Sequence, residues 1–88
     1  MAARQVVVHG VVQGVFFRAS CGEVARDAGV AGWVQNRPDG TVEAWFEGPD
    51  DALASLVAWC HEGPARAHVT RVEARAVEPR GLRTFEVR

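Results

Sequence analysis

The sequence has no excess of charge of either sign and no long hydrophobic run. Its 88 residues include ten arginines, no lysine and eleven acidic residues, which gives a formal net charge of -1 and a pI near 6.3. Nucleic-acid binding needs a basic surface, and a membrane span needs about 20 consecutive apolar residues, so the composition argues against both. A chain of this size buries a single core. We therefore expect one soluble domain over residues 1–88 that acts on a small molecule.

Cysteine and histidine are scarce, which bears on redox and metal chemistry. Cys21 and Cys60 lie far apart, and each falls on the apolar stripe of a predicted helix, so we expect buried thiols rather than a disulfide or a metal pair. The three histidines lack ligand spacing with each other or with the cysteines. Ser20 has no evident base, so the sequence indicates neither a metal site nor a covalent nucleophile.

The first residues carry no targeting signal. Met1 to Arg4 lead straight into a β-branched segment, without the apolar core or the cleavage site of a signal peptide. We therefore expect a cytoplasmic protein. We also expect a monomer.

Hydrophobic periodicity predicts the order β-α-β-β-α-β, followed by one short strand. Phe17, Cys21, Val24 and Ala28 recur on one face of a helix, which Gly29 ends. Two split βαβ units of this kind predict an α+β, ferredoxin-like sandwich, in which an antiparallel sheet carries both helices on one face. The predicted strands cover residues 4–12, 31–36, 41–47, 69–77 and 84–87, and the predicted helices cover residues 17–28 and a segment that begins within 48–51 and ends before residue 63.

The third predicted strand alternates cleanly between apolar and mainly polar positions. Val42, Ala44 and Phe46 share one face, which we expect to be buried, whereas the face that carries Trp45 and Glu47 should be largely solvated.

The stretch from Val8 to Arg18 reads as a strand, a tight loop and the start of a helix. Such a junction directs main-chain N–H groups and the positive end of the helix dipole at one spot, which suits an anion. Arg18 would add a planar fork of donors for a phosphate or carboxylate. Right-handed crossovers place Asn36, at the end of the second strand, at the same end of the sheet.

Each of these residues also fits a plainer role. Gly10 and Gly14 could serve a strand bulge and a turn, Arg18 could be a solvated helix residue, and Asn36 could start the turn that follows it. Their convergence at one end of one sheet favours the anion site.

Two segments of the chain resemble the signatures of the acylphosphatase family. Val8-His-Gly-Val-Val-Gln-Gly-Val-Phe-Phe-Arg18 is similar to the first signature, G-x-V-Q-G-V-x-F-R. Gly32-Trp-Val-Gln-Asn36, followed by Gly40-Thr-Val42 and Gly48, is similar to the second. Both segments lie in the same order and on the same kinds of element as in the family, and the resemblance covers nearly the whole chain.

This resemblance implies hydrolysis of the carboxyl-phosphate anhydride of acyl phosphates, without a metal or other cofactor. Inorganic phosphate would be a product and a competitive inhibitor. At the matching positions of the two signatures, the resemblance implies that Arg18 binds the phosphoryl group and that Asn36 orients the attacking water. Arg37 departs from the small polar residue found in several relatives, which puts any contact from that side chain in doubt. The phosphate cradle would consist of the main-chain amides of Gln13, Gly14, Val15, Phe16 and Phe17.

Two other functions remain open from the sequence. A non-catalytic phosphate or carbamoyl-phosphate binding module, acting as a regulator, would need the loop and Arg18 but not Asn36. A ferredoxin-like RNA-binding module would use Trp45 as a stacking platform, but the charge balance gives it no basic groove.

Overall fold

A computed structural model of the chain describes residues 1–88 and contains five strands and two helices. In chain order they are β1 (Ala2–Val11), α1 (Phe17–Asp27), β2 (Ala31–Asn36), β3 (Val42–Gly48), α2 (Asp50–Glu62), β4 (His68–Val77) and β5 (Phe85–Val87). The predicted order and fold class are confirmed, and every boundary lies within two residues of its predicted position. Neither helix is long and apolar enough to cross a membrane.

The five strands form one sheet in the order β4-β1-β3-β2-β5. The first four strands pair in antiparallel fashion, as predicted. The last strand, whose partner the sequence left open, pairs parallel to β2, so the sheet is mixed. The reason is that residues 78–84 carry the chain from one edge of the sheet to the other, where β5 runs in the direction of β2. The N–H of Gly32 donates to the carbonyl of Thr84, and the N–H of Arg88 donates to that of Val34.

The hydrophobic core lies between the sheet and the two helices. Helix α1 packs on β2 and β5, whereas α2 packs on β4, β1 and β3. The predicted buried face of β3 is confirmed, since Val42, Ala44 and Phe46 have no exposed surface. The two cysteines are free thiols in this core, also as predicted. Burial raises the pKa of Cys60 to about 12 and raises that of Cys21 further.

The opposite face of β3 is not solvated along its whole length, which corrects the sequence-based expectation. Trp45 and Glu47 are only 7% and 1% exposed. Residues 80–82 fold back across this part of the sheet, and the Trp45 ring stacks on that of Trp33 with centroids 6.4 Å apart. We call this region, formed by Trp33, Trp45, Glu47 and residues 80–82, the closed end.

The Glu47 carboxylate is the polar centre of the closed end. It accepts hydrogen bonds from the main-chain N–H groups of Arg80, Gly81 and Leu82 at 2.7–3.1 Å, and from the Trp45 indole at 2.8 Å. Burial by itself raises the pKa of Glu47, but these four donors outweigh it and hold the pKa below its ordinary value. The carboxylate therefore fastens residues 80–82 to the sheet.

Gly10 serves a bulge in β1, one of the plainer roles that the sequence left open. The register between β1 and β4 shifts between His9 and Gly10. Gly10 has a φ of +123°, and a Cβ there would lie 2.1 Å from the carbonyl oxygen of His68. Only glycine fits this close approach. Strand β1 continues to Val11, and the loop before α1 follows.

Candidate active site

The carboxyl ends of β1, β2 and β5 meet at one end of the sheet, which we call the open end. They meet because β1 and β2 are both antiparallel to β3, and β5 is parallel to β2. A pocket of about 350 Å³ lies there. It is lined by Val12, Gly14, Phe16, Phe17, Arg18, Ala19, Asn36 and Val87. The predicted convergence of the loop, Arg18 and Asn36 is thus found in the structure.

The loop before α1 curls because two of its residues adopt left-handed conformations. Gly14 has a φ of +74° and Phe16, the N-cap of α1, has a φ of +66°. Left-handed residues alternating with right-handed ones turn successive N–H groups toward one concave side. No side chain caps the first turn of α1, and no acidic residue lies in it. The positive end of this helix is therefore uncompensated by a carboxylate of its own first turn.

Not all of the predicted cradle residues line the pocket. Gly14, Phe16 and Phe17 line it, whereas Gln13 and Val15 do not. The Val15 side chain packs against the hydrophobic core. Since the prediction concerns main-chain amides, the side-chain directions do not decide the role of these two residues.

The Gln13 side chain joins the loop to the turn between β2 and β3. Its Nε2 donates to the carbonyl oxygens of Arg37 and Thr41 at 2.8 and 2.9 Å. Both acceptors lie beside Asn36, because the N–H of Arg37 donates to the carbonyl of Thr41 at the end of the hairpin. Gln13 therefore fixes the distance between the loop and the strand end that carries Asn36.

The Arg18 guanidinium is oriented by Arg88, the residue that follows the edge strand β5. Its Nη1 donates to the main-chain oxygen of Arg88 at 2.5 Å. This contact restricts the orientation of the guanidinium. Part of the guanidinium stays accessible, because Arg18 is only half-buried. Neither Val87 nor Arg88 was among the predicted site residues. No sequence pattern could have found them, because the pairing partner of the last strand was not predictable.

Asn36 and Arg37 point to different faces of the sheet. Asn36 is exposed and lines the pocket. Arg37 instead lines a separate groove of about 740 Å³ on the face opposite the helices, together with Gln5, His9, Asp39, Glu73, Arg75 and three apolar residues. Alternation of side chains along an extended chain accounts for the difference. The larger groove contains neither Arg18 nor Asn36, so it is not the candidate active site.

Two other kinds of site were considered from the sequence, a metal centre and a stacking platform at Trp45. No group of three or more histidine, cysteine, aspartate or glutamate side chains is arranged to hold a metal ion. Trp45 is covered by Trp33 and by the Arg80 guanidinium, whose carbon lies 4.4 Å from the ring centroid. The ring thus has no free face on which an RNA base could stack.

The family model for acylphosphatase matches residues 4–87 of the chain. The chain belongs to the acylphosphatase family. The acylphosphatase of Haloarcula marismortui is 54% identical over 83 residues, which cover 94% of this chain and 91% of that one. The acylphosphatase of Haloquadratum walsbyi is 52% identical over 83 residues, 94% of this chain and 89% of its own. The predicted family is thereby confirmed.

The fold agrees with that of a solved acylphosphatase. The crystal structure of the Bacillus subtilis acylphosphatase superposes with a TM-score of 0.96 at 36% identity, covering 99% of this chain and 98% of that one. This family member is accordingly a hydrolase that acts on acyl phosphates. The predicted activity is confirmed, and the roles of individual residues are a separate question.

Proposed function

We propose that the pocket at the open end is the catalytic site, and that Arg18 and Asn36 are its essential side chains. The observation that carries this proposal is that one pocket is lined by the loop, by Arg18 and by Asn36. The reaction needs an anion site, a positive charge and a group that holds water, and these three elements supply one each.

The phosphoryl group is held by the loop and by Arg18. The main-chain amides of residues 13–17 and the start of α1 present N–H groups to its oxygens. Arg18 donates from a planar fork whose orientation is restricted by its bond to Arg88. Negative charge that builds up during the reaction is stabilised by donors already in place, which is the largest contribution that such sites usually make.

The Asn36 side chain holds the attacking water. The water oxygen forms a bond to phosphorus, and the bond between phosphorus and the acyl oxygen breaks, so that the carboxylate leaves with the electron pair. One proton of the water passes to another phosphate oxygen and the second stays on the incoming oxygen, which gives inorganic phosphate. Because a carboxylate is a good leaving group, positioning and charge stabilisation suffice, and neither a covalent intermediate nor a strong base is required.

The proposal also covers the cofactor requirement, the assembly and the location of the enzyme. The enzyme acts on small acyl phosphates without a metal or other cofactor, as a cytoplasmic monomer, and one domain carries the site. Inorganic phosphate occupies the same cradle and inhibits competitively. Turnover should therefore be unaffected by EDTA, and loss of activity on chelation would contradict the metal-free mechanism.

Two alanine variants test the proposed roles. We expect Arg18→Ala to lose about 10³-fold in kcat/KM and to lose phosphate binding as well, because it removes a charged donor from the phosphoryl site. Asn36→Ala should lose about 10²-fold in kcat while still binding phosphate, because its partner is water. Hydrolysis of an aryl acyl phosphate and titration with inorganic phosphate measure the two properties.

The assignment has a clear point of failure. If a folded Arg18→Ala protein bound phosphate as the wild type does, the loop and Arg18 would not form the phosphoryl site. If Asn36→Ala kept full turnover, the water would be held elsewhere.

A further inference from the structure

We propose that the larger groove, on the face of the sheet opposite the helices, binds an elongated organic dianion with an acidic group at each end and an apolar chain between them. The ligand class is that of the α,ω-dicarboxylates. The proposal does not depend on the proposed function, because the groove contains neither Arg18 nor Asn36.

The groove has a positively charged side chain at each of two diagonal corners. Arg75 on β4 pairs with Gln5 on β1, whereas Arg37 lies opposite Thr41 just beyond the end of β2, in the row of His9. The main chains at Arg37 and Arg75 are separated by about 14 Å across the strands and about 13 Å along them. Both side chains nevertheless line the groove, so the two guanidinium groups enter it from opposite corners.

Neither guanidinium group is neutralised within the chain. The structure contains four ion pairs, and neither Arg37 nor Arg75 takes part in any of them. Arg75 donates from Nε to Oε1 of Gln5 at 2.7 Å, which orients it and leaves its two terminal nitrogens free. The hydrogen bond from the Gln13 side chain to Arg37 ends on the main-chain oxygen, so it does not engage the guanidinium. Planar forks with free donors suit carboxylates.

The two carboxylates that line the groove are held by neighbours in the chain. Oε1 of Glu73 and Nε2 of His9 are in hydrogen-bond contact at 2.6 Å, and Nη2 of Arg71 donates to the other oxygen of Glu73 at 3.2 Å. Asp39 accepts from the N–H and the hydroxyl of Thr41 at 3.0 and 2.6 Å. Because both carboxylates stay negatively charged at neutral pH, an anion with one acidic group is held poorly. A ligand must therefore engage both arginines.

The middle of the groove is apolar. Val7 is half-buried and pairs with Glu73 on one side and Glu43 on the other, between the rows that hold the two arginines. Val72 and Ala74 of the edge strand also line the groove. An aliphatic chain laid across Val7 removes apolar surface from water, which an inorganic anion does not. The order charge, apolar surface, charge thus selects a ligand of the same order.

The length of the ligand follows from the diagonal. Because the two arginines are anchored so far apart, two carboxylates on a chain of four methylene groups bridge them better than two carboxylates on a shorter chain. The groove, at about 740 Å³, has room for such a chain.

The test titrates three probes into ¹⁵N-labelled protein at constant ionic strength and follows the amide signals by NMR. Adipate carries an acidic group at each end of four methylene groups, hexanoate has the same length and one acidic group, and succinate has two acidic groups on a shorter chain. We expect adipate to shift the amides of Val7 and Glu73 saturably, and to bind about tenfold more tightly than hexanoate or succinate. The amide of Gly14, in the loop before α1, should not shift.

Three substitutions in the groove test the named contacts. Arg37→Gln and Arg75→Gln each remove one charged donor, so each should weaken adipate binding about tenfold. Val7→Thr keeps the branched shape but adds a hydroxyl, and it should weaken adipate binding about threefold. Arg66→Gln is the matched control, because Arg66 is exposed and in no ion pair but does not line the groove. It should leave the affinity unchanged.

Three results would overturn the proposal. Equal affinity for adipate, hexanoate and succinate would show that the groove does not recognise two separated charges. Equal losses in Arg37→Gln and Arg66→Gln would show an effect of net charge alone. A shift of Gly14 instead of Val7, with loss of adipate binding in Arg18→Ala, would place the dianion in the catalytic pocket. If Arg18→Ala kept its turnover, the proposed catalytic site would be wrong, but the shifts at Val7 and Glu73 would still decide the role of the groove.

Discussion

The two ends of the sheet use aromatic and polar side chains in opposite ways. At the closed end, Glu47 is 1% exposed and accepts four hydrogen bonds, and Trp33 and Trp45 stack on each other. At the open end, Phe16 is strained and exposed, and Asn36 is exposed beside the pocket. One end thus stabilises the fold, and the other keeps groups accessible to substrate. Substitutions at the closed end should therefore change stability, and those at the open end should change turnover.

The largest expected effect is that of Gly32→Ala, at the closed end. Gly32 has a φ of +139°, and a Cβ there would lie 1.7 Å from the carbonyl oxygen of Trp45. Strands β2 and β3 would have to separate, so we expect a loss of more than about 4 kcal/mol in the free energy of unfolding. Urea titration followed by circular dichroism measures it.

Gly40→Ala is the control for this prediction. Gly40 has a φ of +92° but nothing within 4 Å of the Cβ position. Its cost should be only the backbone strain of about 1 kcal/mol. Equal losses in the two variants would show that conformation, and not the close approach to Trp45, makes glycine necessary at position 32.

The next largest effect is expected at the open end, where Gln13 joins the loop to the hairpin. Gln13→Glu would direct a carboxylate oxygen at the carbonyl oxygens of Arg37 and Thr41 in place of a donor. We expect kcat to fall about 30-fold, because the loop and Asn36 lose their fixed separation. Gln13→Met, which has no donor and no charge, should lose less, about tenfold. Wild-type turnover in both variants would remove Gln13 from the positioning of the site.

A smaller effect is expected for Glu47→Gln, which should change stability without changing kcat. The pKa of Glu47 lies below its ordinary value in the folded protein, so its contribution is present above the unfolded pKa of about 4.3 and is lost as pH falls through the folded pKa. We expect a loss of about 2 kcal/mol at pH 7. Denaturation at several pH values should show this difference shrinking below about pH 4. A difference that did not depend on pH would contradict the role of the charge.

The smallest effect is expected at the two thiols, which belong to neither end. Burial raises the pKa of Cys60 to about 12 and raises that of Cys21 further, so thiolate is scarce at neutral pH. A thiol reagent such as iodoacetamide at pH 8 should leave the folded protein unmodified and fully active, and should modify both cysteines in urea. Rapid labelling of the folded protein would indicate that the core opens readily.

The sequence predicted the open end better than the closed end, for physical reasons. Connectivity alone placed Asn36 beside the loop, because crossover handedness fixes which strand ends lie together. Alternation also predicted the burial of Val42, Ala44 and Phe46. It failed for Trp45 and Glu47 because their cover comes from residues 80–82, an irregular segment without a periodic pattern. The side of the sheet to which Arg37 points could have been read from alternation along β2.

The pairing of β5 could not be predicted, and the contacts that depend on it were missed with it. A three-residue strand carries too little pattern to select a partner. The bond from Arg18 to Arg88 and the place of Val87 in the pocket both follow from that pairing.

The bond between Arg18 and Arg88 has a consequence for how the enzyme acquires activity as it folds. It joins groups 70 positions apart, so its formation requires closure of a loop that spans most of the chain. A molecule in which β5 has not docked lacks both the restraint on Arg18 and the Val87 side chain that lines the pocket. In a refolding experiment, the recovery of catalytic rate therefore reports the docking of β5, whereas the far-ultraviolet signal reports the helices and the other four strands.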